Sequence, residues 1–508
     1  MEQRRGKAGC QGGLKSPLVR HTLPFMEPRE KEFATRAARI PVHGIGLSVD
    51  VFSPDLLELH QALESAGSPP EYLEIFKSPT RELARVHAAL PGVPLAYHAE
   101  GLWLIDPAMR SATPWRQAVE TIARHTEVIG AGWANHECAG KQIGGYSFGT
   151  YLPPLLADAS AKAVAANAAW AQEGLDEWFA RKGRSDSAPL LLLELPPLTY
   201  FGFGDLPVSE FFAQIAERTS CGMVLDIGHL WTHWRYRERR RFRSPEAFAA
   251  EFLATFPLDR VVQIHLAGLG VHEKDESSNR LPYWIDRHDA PVPGVLFDLL
   301  RQVLGHPRLT ALKGIALEVD TKAVPVIVEE FGRLLEEPAC RESLRQASCR
   351  SASPPVRTND GAGPALQGLA ELYGVYARVA SGQEVLESSG IASLAEGVDL
   401  EGLHRYVTCY LPHELLCWGG DLAQLFPAIW KSLEKRGVTA TDFVRFWFRQ
   451  SRPVADPYDF FYLKLERWVE FVGEVAPDLL EQAQREAGIL RALHAELNDE
   501  PVVLEGRA

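Results

Sequence analysis

Short apolar runs alternate with amphipathic stretches over the first two thirds of the chain, and this alternation sets the expected fold. Strand-like runs fall at Gly44–Val51, Tyr72–Phe76, Pro94–His98, Glu127–Ala134, Leu190–Leu195, Met223–Ile227, Val261–Ala267 and Gly314–Val319. Between and after them, helical periodicity marks Pro54–Ser65, Thr80–Ala89, Trp115–His125, Asp158–Arg181, Val208–Thr219, Pro245–Thr255, Gly294–Gly305 and Ala323–Leu335. A strand followed by a helix, repeated around eight times, is the pattern of a (β/α)8 TIM barrel. A doubly wound open sheet is the other candidate, but no glycine-rich phosphate loop follows the first strand.

The pattern changes after Glu337. Residues 337–364 are rich in Ser, Arg, Pro and Gly and read as a linker. From 365 to 498 the periodicity is helical throughout, at Gln367–Val379, Leu400–Cys409, Leu422–Lys435, Ala440–Gln450, Asp459–Val475 and Leu479–Leu497. The expected organisation is therefore an N-terminal flexible extension (1–40), a barrel (41–336), the linker, a smaller all-helical domain (365–498) and a tail (499–508). The helical domain carries many aromatics, among them Tyr410, Trp418, Phe426, Phe443, Trp447, Tyr458 and Trp468. Most fill a core; those left over suit a binding groove.

Composition narrows the function. A chain of 508 residues exceeds one ordinary core. A net charge of −13 argues against a general nucleic-acid binder. The basic run Arg235–Arg243 is a solvated face on this reading. No apolar run approaches the roughly 20 residues that span a bilayer, and no signal peptide is visible. Seven cysteines (10, 138, 221, 340, 349, 409 and 417) form no CxxC pair, which suits a reducing, cytoplasmic setting.

The candidate chemistry lies where strands end. In a barrel, functional side chains sit at the C-terminal ends of the strands and in the loops beyond. The third strand ends at His98, the fourth at His136, the fifth at Glu194, the sixth at Asp226 and the seventh at His265. The loop after the seventh carries Asp286 and His288, and the eighth strand ends at Glu318. Buried charge costs several kcal/mol unless paired or coordinated, so such a succession points to a metal site. Four histidines and four carboxylates, with no suitable cysteine, exceed the needs of one zinc. They suit two or three ions of iron, manganese or zinc, and leave open a hydrolytic two-metal clamp or an oxidative iron cluster. His229, Asp289 and Glu137 are candidates to orient the ligating imidazoles.

Ile264-His265-Leu266-Ala267-Gly268 and Ile285-Asp286-Arg287-His288-Asp289-Ala290-Pro291-Val292, after a Thr219–Gly222 turn and Leu225-Asp226, form a distinctive set. With Ala96-Tyr97-His98, Asn135-His136, Tyr151–Leu155 and Glu194 followed by Pro196 and Tyr200, they resemble the multinuclear non-heme iron-dependent oxidative enzymes, which include the methanobactin-biosynthesis enzyme. The resemblance covers residues 41–336. It implies an oxidoreductase on a TIM barrel that binds two or three irons and uses O2 to modify a side chain, most often cysteine, of a ribosomally made precursor peptide. It makes His98, His136, Glu194, Asp226, His265, Asp286, His288 and Glu318 the iron ligands. A small helical partner protein usually presents the peptide, and Leu403–Gln450 is similar to such companions, so the C-terminal domain is a candidate fused partner. Ser48, Leu195 and His229 depart from the family pattern. A zinc- or manganese-dependent hydrolase or isomerase, or a non-catalytic metal- or peptide-binding protein, are the alternative readings.

Overall fold

The computed structural model describes residues 28–52, 54–111, 113–271, 283–347, 366–417, 420–451 and 460–498. Trp418, Tyr458, Cys10, Cys349 and the tail 499–508 lie outside the described residues.

Eight parallel strands close into a barrel in sequence order: β1 (Gly44–Val49), β2 (Leu73–Phe76), β3 (Leu95–His98), β4 (Trp133–Glu137), β5 (Leu190–Glu194), β6 (Gly222–Asp226), β7 (Val261–Leu266) and β8 (Gly314–Val319). Closure comes from β1 against β8, with Ser48 opposite Glu318. Every residue of these eight strands except Phe76 is buried, because helices cover the outside and side chains fill the inside.

Side chains alternate between the two faces of a strand, and this decides what enters the barrel. The lower interior is packed by Tyr72, Ala96, Trp133, Leu190, Leu192, Val224 and Ala316. Gln263 ties this layer together, accepting from Trp133 Nε1 at 2.8 Å and donating to the Tyr72 hydroxyl at 3.1 Å. A step of two or four further along these strands brings Glu74, His98, Asn135, Glu137, Glu194, Asp226 and Glu318 to the upper interior. The barrel thus has a dry floor and an ionisable ceiling.

Four local features differ from the expected pattern. Pro28–Arg39, expected within a flexible extension, is a helix whose Phe33 and Ala37 sit one turn apart and, with Ile40, join the lower packing layer. The fourth strand begins at Trp133, since the helix Thr113–Ile129 runs on through Glu127 and stops at Gly130, whose φ of 68° suits glycine. Beyond β4 the chain forms an antiparallel hairpin, Gly140–Ile143 with Tyr146–Leu152, for which the alternation gives no warning. A further helix, Pro338–Ala347, occupies the start of the expected linker; residues 348–365 are not described.

The C-terminal region is helical from Leu366 to Asn498 among the described residues. Its buried apolar residues are continuous with those around the barrel. The Tyr373 hydroxyl meets Ser160 Oγ at 2.6 Å and accepts from Leu155 N, Tyr376 donates to the Pro153 carbonyl, and Trp447 Nε1 donates to Ser147 O at 2.7 Å. The segment Tyr151–Leu155 therefore serves as a seat for these helices. No described helix is long and apolar enough to cross a membrane.

Candidate metal centre

At the upper end of the barrel, Glu194, Asp226, His265 and Glu318 each offer a ligand atom, all within 4.8 Å of one another. Asp226, His229 and Asp286 form a second group by the same measure, so Asp226 belongs to both. His265 Nδ1 lies 3.0 Å from Glu318 Oε1 and 3.2 Å from Glu194 Oε1. His288 Nε2 lies between Asp286 (3.2 Å) and Glu318 (3.4 Å). His98 Nε2 approaches Glu194 at 3.5 Å and Glu137 at 3.8 Å.

Local structure aims these groups. Asp226 ends β6 and caps the next helix, its Oδ1 accepting from His229 N at 2.6 Å. That cap starts the helix with His229 facing back over the barrel. His229 Nδ1 donates to the Leu195 carbonyl at 2.6 Å, which leaves Nε2 directed at Asp286, 3.3 Å away. His288 Nδ1 is held by Asp320 at 2.8 Å, again presenting Nε2 inward. Asn135 donates to Glu194 Oε2.

The electrostatics are those of a site short of positive charge. Burial would lower the His98 pKa, yet Glu137 and Glu194 raise it to about 10. Burial likewise opposes protonation of His229, His265 and His288, but the surrounding carboxylates push all three well above the usual imidazole range. Asp226 goes up to about 8 through burial, with Glu318 and Asp286 adding to it. Even so, Asp226 Oδ2, Asp286 Oδ1, Glu318 Oε2, Glu137 Oε2 and both Glu74 oxygens are buried without a hydrogen-bond partner. Unsatisfied buried carboxylate oxygens converging with imidazole nitrogens are what a metal ion would satisfy. The donor set is oxygen and nitrogen only.

Of the residues expected from the sequence, His98, Glu194, Asp226, His265, Asp286, His288 and Glu318 converge, and His229 joins them directly. His136 does not. Its Nε2 accepts from Leu102 N at 3.0 Å and its Nδ1 donates to Glu137 O at 2.8 Å, so both nitrogens are spent on backbone. Burial depresses its pKa to about 4. Asp289 turns outward, chelating its neighbour Arg287 through two hydrogen bonds. Glu74, unanticipated, is fully buried with Oε2 at 2.8 Å from His265 Nε2, in contact though out of line for a hydrogen bond. Its signal is a charge in the middle of the apolar run Tyr72–Phe76.

A family model described as "RiPP precursor modification enzyme MbnB/TglH/ChrH" matches residues 42–337, more than half the chain. The chain belongs to this family. RiPPs are ribosomally synthesised and post-translationally modified peptides, and members of the family are enzymes that modify their precursors. Similar proteins include a UPF0276 protein of Anaeromyxobacter sp. (strain Fw109-5), 27% identical over 318 residues, 61% of this chain and 98% of that one. Another, from Paraburkholderia phytofirmans, is 25% identical over 297 residues, 56% of this chain and 82% of its own length. Among solved structures, endonuclease IV from Thermus thermophilus is similar at a TM-score of 0.35 and 18% identity, covering 60% of this chain and 99% of that one. A sugar phosphate isomerase/epimerase from Parabacteroides distasonis gives a TM-score of 0.36 and 12% identity, covering 59% and 96%.

Proposed function

We propose that this chain is an iron- and O2-dependent oxidoreductase that modifies a side chain, most often cysteine, of a ribosomally made precursor peptide. The observation that carries the reading is the pair of donor groups sharing Asp226, buried and built only from imidazole and carboxylate. The two groups would hold more than one ion, and Asp226 could contribute to either group. His98, Glu194, Asp226, His229, His265, Asp286, His288 and Glu318 would hold the metal, and His136 would not. Iron bound there would supply affinity for a thiolate and the activation of dioxygen.

The protein's own part is orientation and exclusion of water. The Leu195 carbonyl fixes His229 and Asp320 fixes His288, so these two imidazoles have one nitrogen restrained and the other aimed inward, while Glu74 lies in charge contact with His265 Nε2. The floor of Trp133, Tyr72 and Gln263 closes the barrel from below. The approach is from above, where His288 is 28% exposed and Asp320 50%. The C-terminal helices lie beside that approach, and we assign them the recognition of the peptide, in place of a separate helical partner. Tethering makes such recognition intramolecular. The free thiols of Cys138, Cys221 and Cys340 suit the reducing compartment in which the peptide is made.

The test is elemental analysis of protein purified without oxygen, with His265→Ala and His288→Ala alongside. About two or more irons per chain, largely lost in both variants, is the expected result. A single zinc, or metal content indifferent to both substitutions, overturns it.

A further inference from the structure

Tyr200 is a buried residue with φ of 75°, a left-handed conformation that a tyrosine adopts only when its surroundings impose it. It lies in the loop that follows Glu194, the same loop whose Leu195 carbonyl fixes His229. Two sides of its ring meet Tyr283 and Tyr236 of the barrel, with centroids 5.2 and 5.8 Å apart, and the C-terminal helices close on the rest of the residue. Tyr410 packs edge-on against the Tyr200 ring with centroids 5.5 Å apart. Gly402 approaches so closely that a Cβ there would lie 2.4 Å from the Tyr200 carbonyl oxygen. Further along the loop, Phe201 packs on Tyr406, Phe203 packs on Tyr376, and Gly204 N donates to Leu394 O at 2.8 Å.

The other face of the loop belongs to the helix that carries His229. His233 Nε2 donates to Pro196 O at 2.9 Å, Leu198 N donates to Thr232 Oγ1 at 2.9 Å, and Arg237 donates to Gly204 O at 2.7 Å. The loop 195–204 is thus sandwiched between the C-terminal helices and an element of the metal centre.

We infer that the C-terminal helices are a positioning element of the metal centre: Gly402 and Tyr410 hold Tyr200 in its left-handed conformation, and the loop so fixed sets the Leu195 carbonyl that orients His229. Whatever moves helix 400–417 is thereby felt at His229. The inference rests on the metal-centre reading for one of its two readouts and is independent of it for the other.

The experiment uses the full chain with Gly402→Ala, whose Cβ must displace the Tyr200 carbonyl, and Tyr410→Leu, which removes the ring without adding bulk. Gly488→Ala is the control, since a Cβ there meets nothing within 4 Å. The first readout is backbone hydrogen–deuterium exchange of residues 195–204 in metal-free protein. The second is the visible absorption of added Co2+, which reports ligand geometry. Both variants are expected to speed exchange in the loop about tenfold and to shift the cobalt bands, with the control unchanged. Unchanged exchange and unchanged cobalt bands in both variants would overturn the inference. Tyr410→Leu keeps the test decisive should Gly402→Ala fail to fold. Wild-type protein that gives no ligand-field bands with Co2+, while exchange still responds to the substitutions, would overturn the metal reading and leave the coupling standing.

Discussion

Glu74 and His265 meet at 2.8 Å in the barrel interior, and neither side chain has any solvent exposure. His265 presents its other nitrogen, Nδ1, to Glu194 and Glu318. A carboxylate behind a ligating imidazole restrains the ring and raises its basicity, and losing such a partner typically costs ten- to a hundredfold in metal affinity. Glu74→Gln keeps the shape and removes the charge. It is expected to weaken metal binding by about tenfold or more while the fold survives, as read from a competitive titration against a chelator beside a circular dichroism spectrum. Affinity equal to wild type would show that Glu74 is only filling space.

His136 predicts the opposite dissociation. Its ring spans Leu102 N and the Glu137 carbonyl, joining the loop after β3 to the end of β4. His136→Ala leaves both backbone groups buried without these partners, at about 1–3 kcal/mol each. The melting temperature should fall by several degrees while metal stoichiometry stays at the wild-type value. Loss of metal without loss of stability would return His136 to the ligand set.

The contrast between these two residues shows how far the site is legible in the sequence. Ionisable residues at strand ends lead to the end of the barrel where most of these side chains converge. The period of two along each strand is the information that strand ends alone leave unused. Trp133, Asn135 and Glu137 share a face of β4, and Trp133 packs inside the barrel, so His136 has to point away. The same parity runs through Tyr72 and Glu74, which places Glu74 inside. His229 reads as an orienting residue because it lies beyond the strand; only the cap made by Asp226 turns it back over the barrel. The helix Pro28–Arg39 is obscured by its many charges, although Phe33, Ala37 and Ile40 carry a helical spacing. The left-handed Tyr200 has no sequence signal, since the rings packed on it, Tyr236, Tyr283 and Tyr410, all come from distant parts of the chain.

Lys141 and Glu100 form an ion pair that ties the hairpin after β4 to the loop after β3. Lys141 is 2% exposed and also lies 4.4 Å above the Tyr151 ring. Breaking one partner of such a pair strands the other charge, at about 3–5 kcal/mol, whereas replacing both with apolar residues is often near neutral. Lys141→Met alone should therefore be strongly destabilising in chemical denaturation, and Lys141→Met with Glu100→Leu should recover most of the loss. A double variant as unstable as the single one would show that the charges are needed for something other than each other.

His125 makes stability depend on acid. Tyr97 lies 2.7 Å from its Nδ1 and Thr80 Oγ1 lies 3.1 Å from its Nε2, a pairing that a neutral imidazole satisfies with one nitrogen accepting and one donating. Burial, with Arg124 and Lys77 adding to it, lowers its pKa to about 3, against 6.5 for the free group. The unfolded chain then binds a proton at a higher pH than the folded chain does. The contribution is complete above about pH 6.5 and drains away as pH falls toward the folded value, at about 1.4 kcal/mol per pH unit. His43, lowered to about 4 chiefly by burial, acts with the same sign. Denaturant unfolding between pH 7 and pH 4, compared between wild type and a His125 variant, isolates this contribution from that of the raised groups in the metal centre. In His125→Gln, which cannot take up the proton on unfolding, the slope should be shallower by about one proton's worth. An unchanged slope in that variant would mean that His125 is already protonated in the folded chain, with the Tyr97 hydroxyl accepting from it.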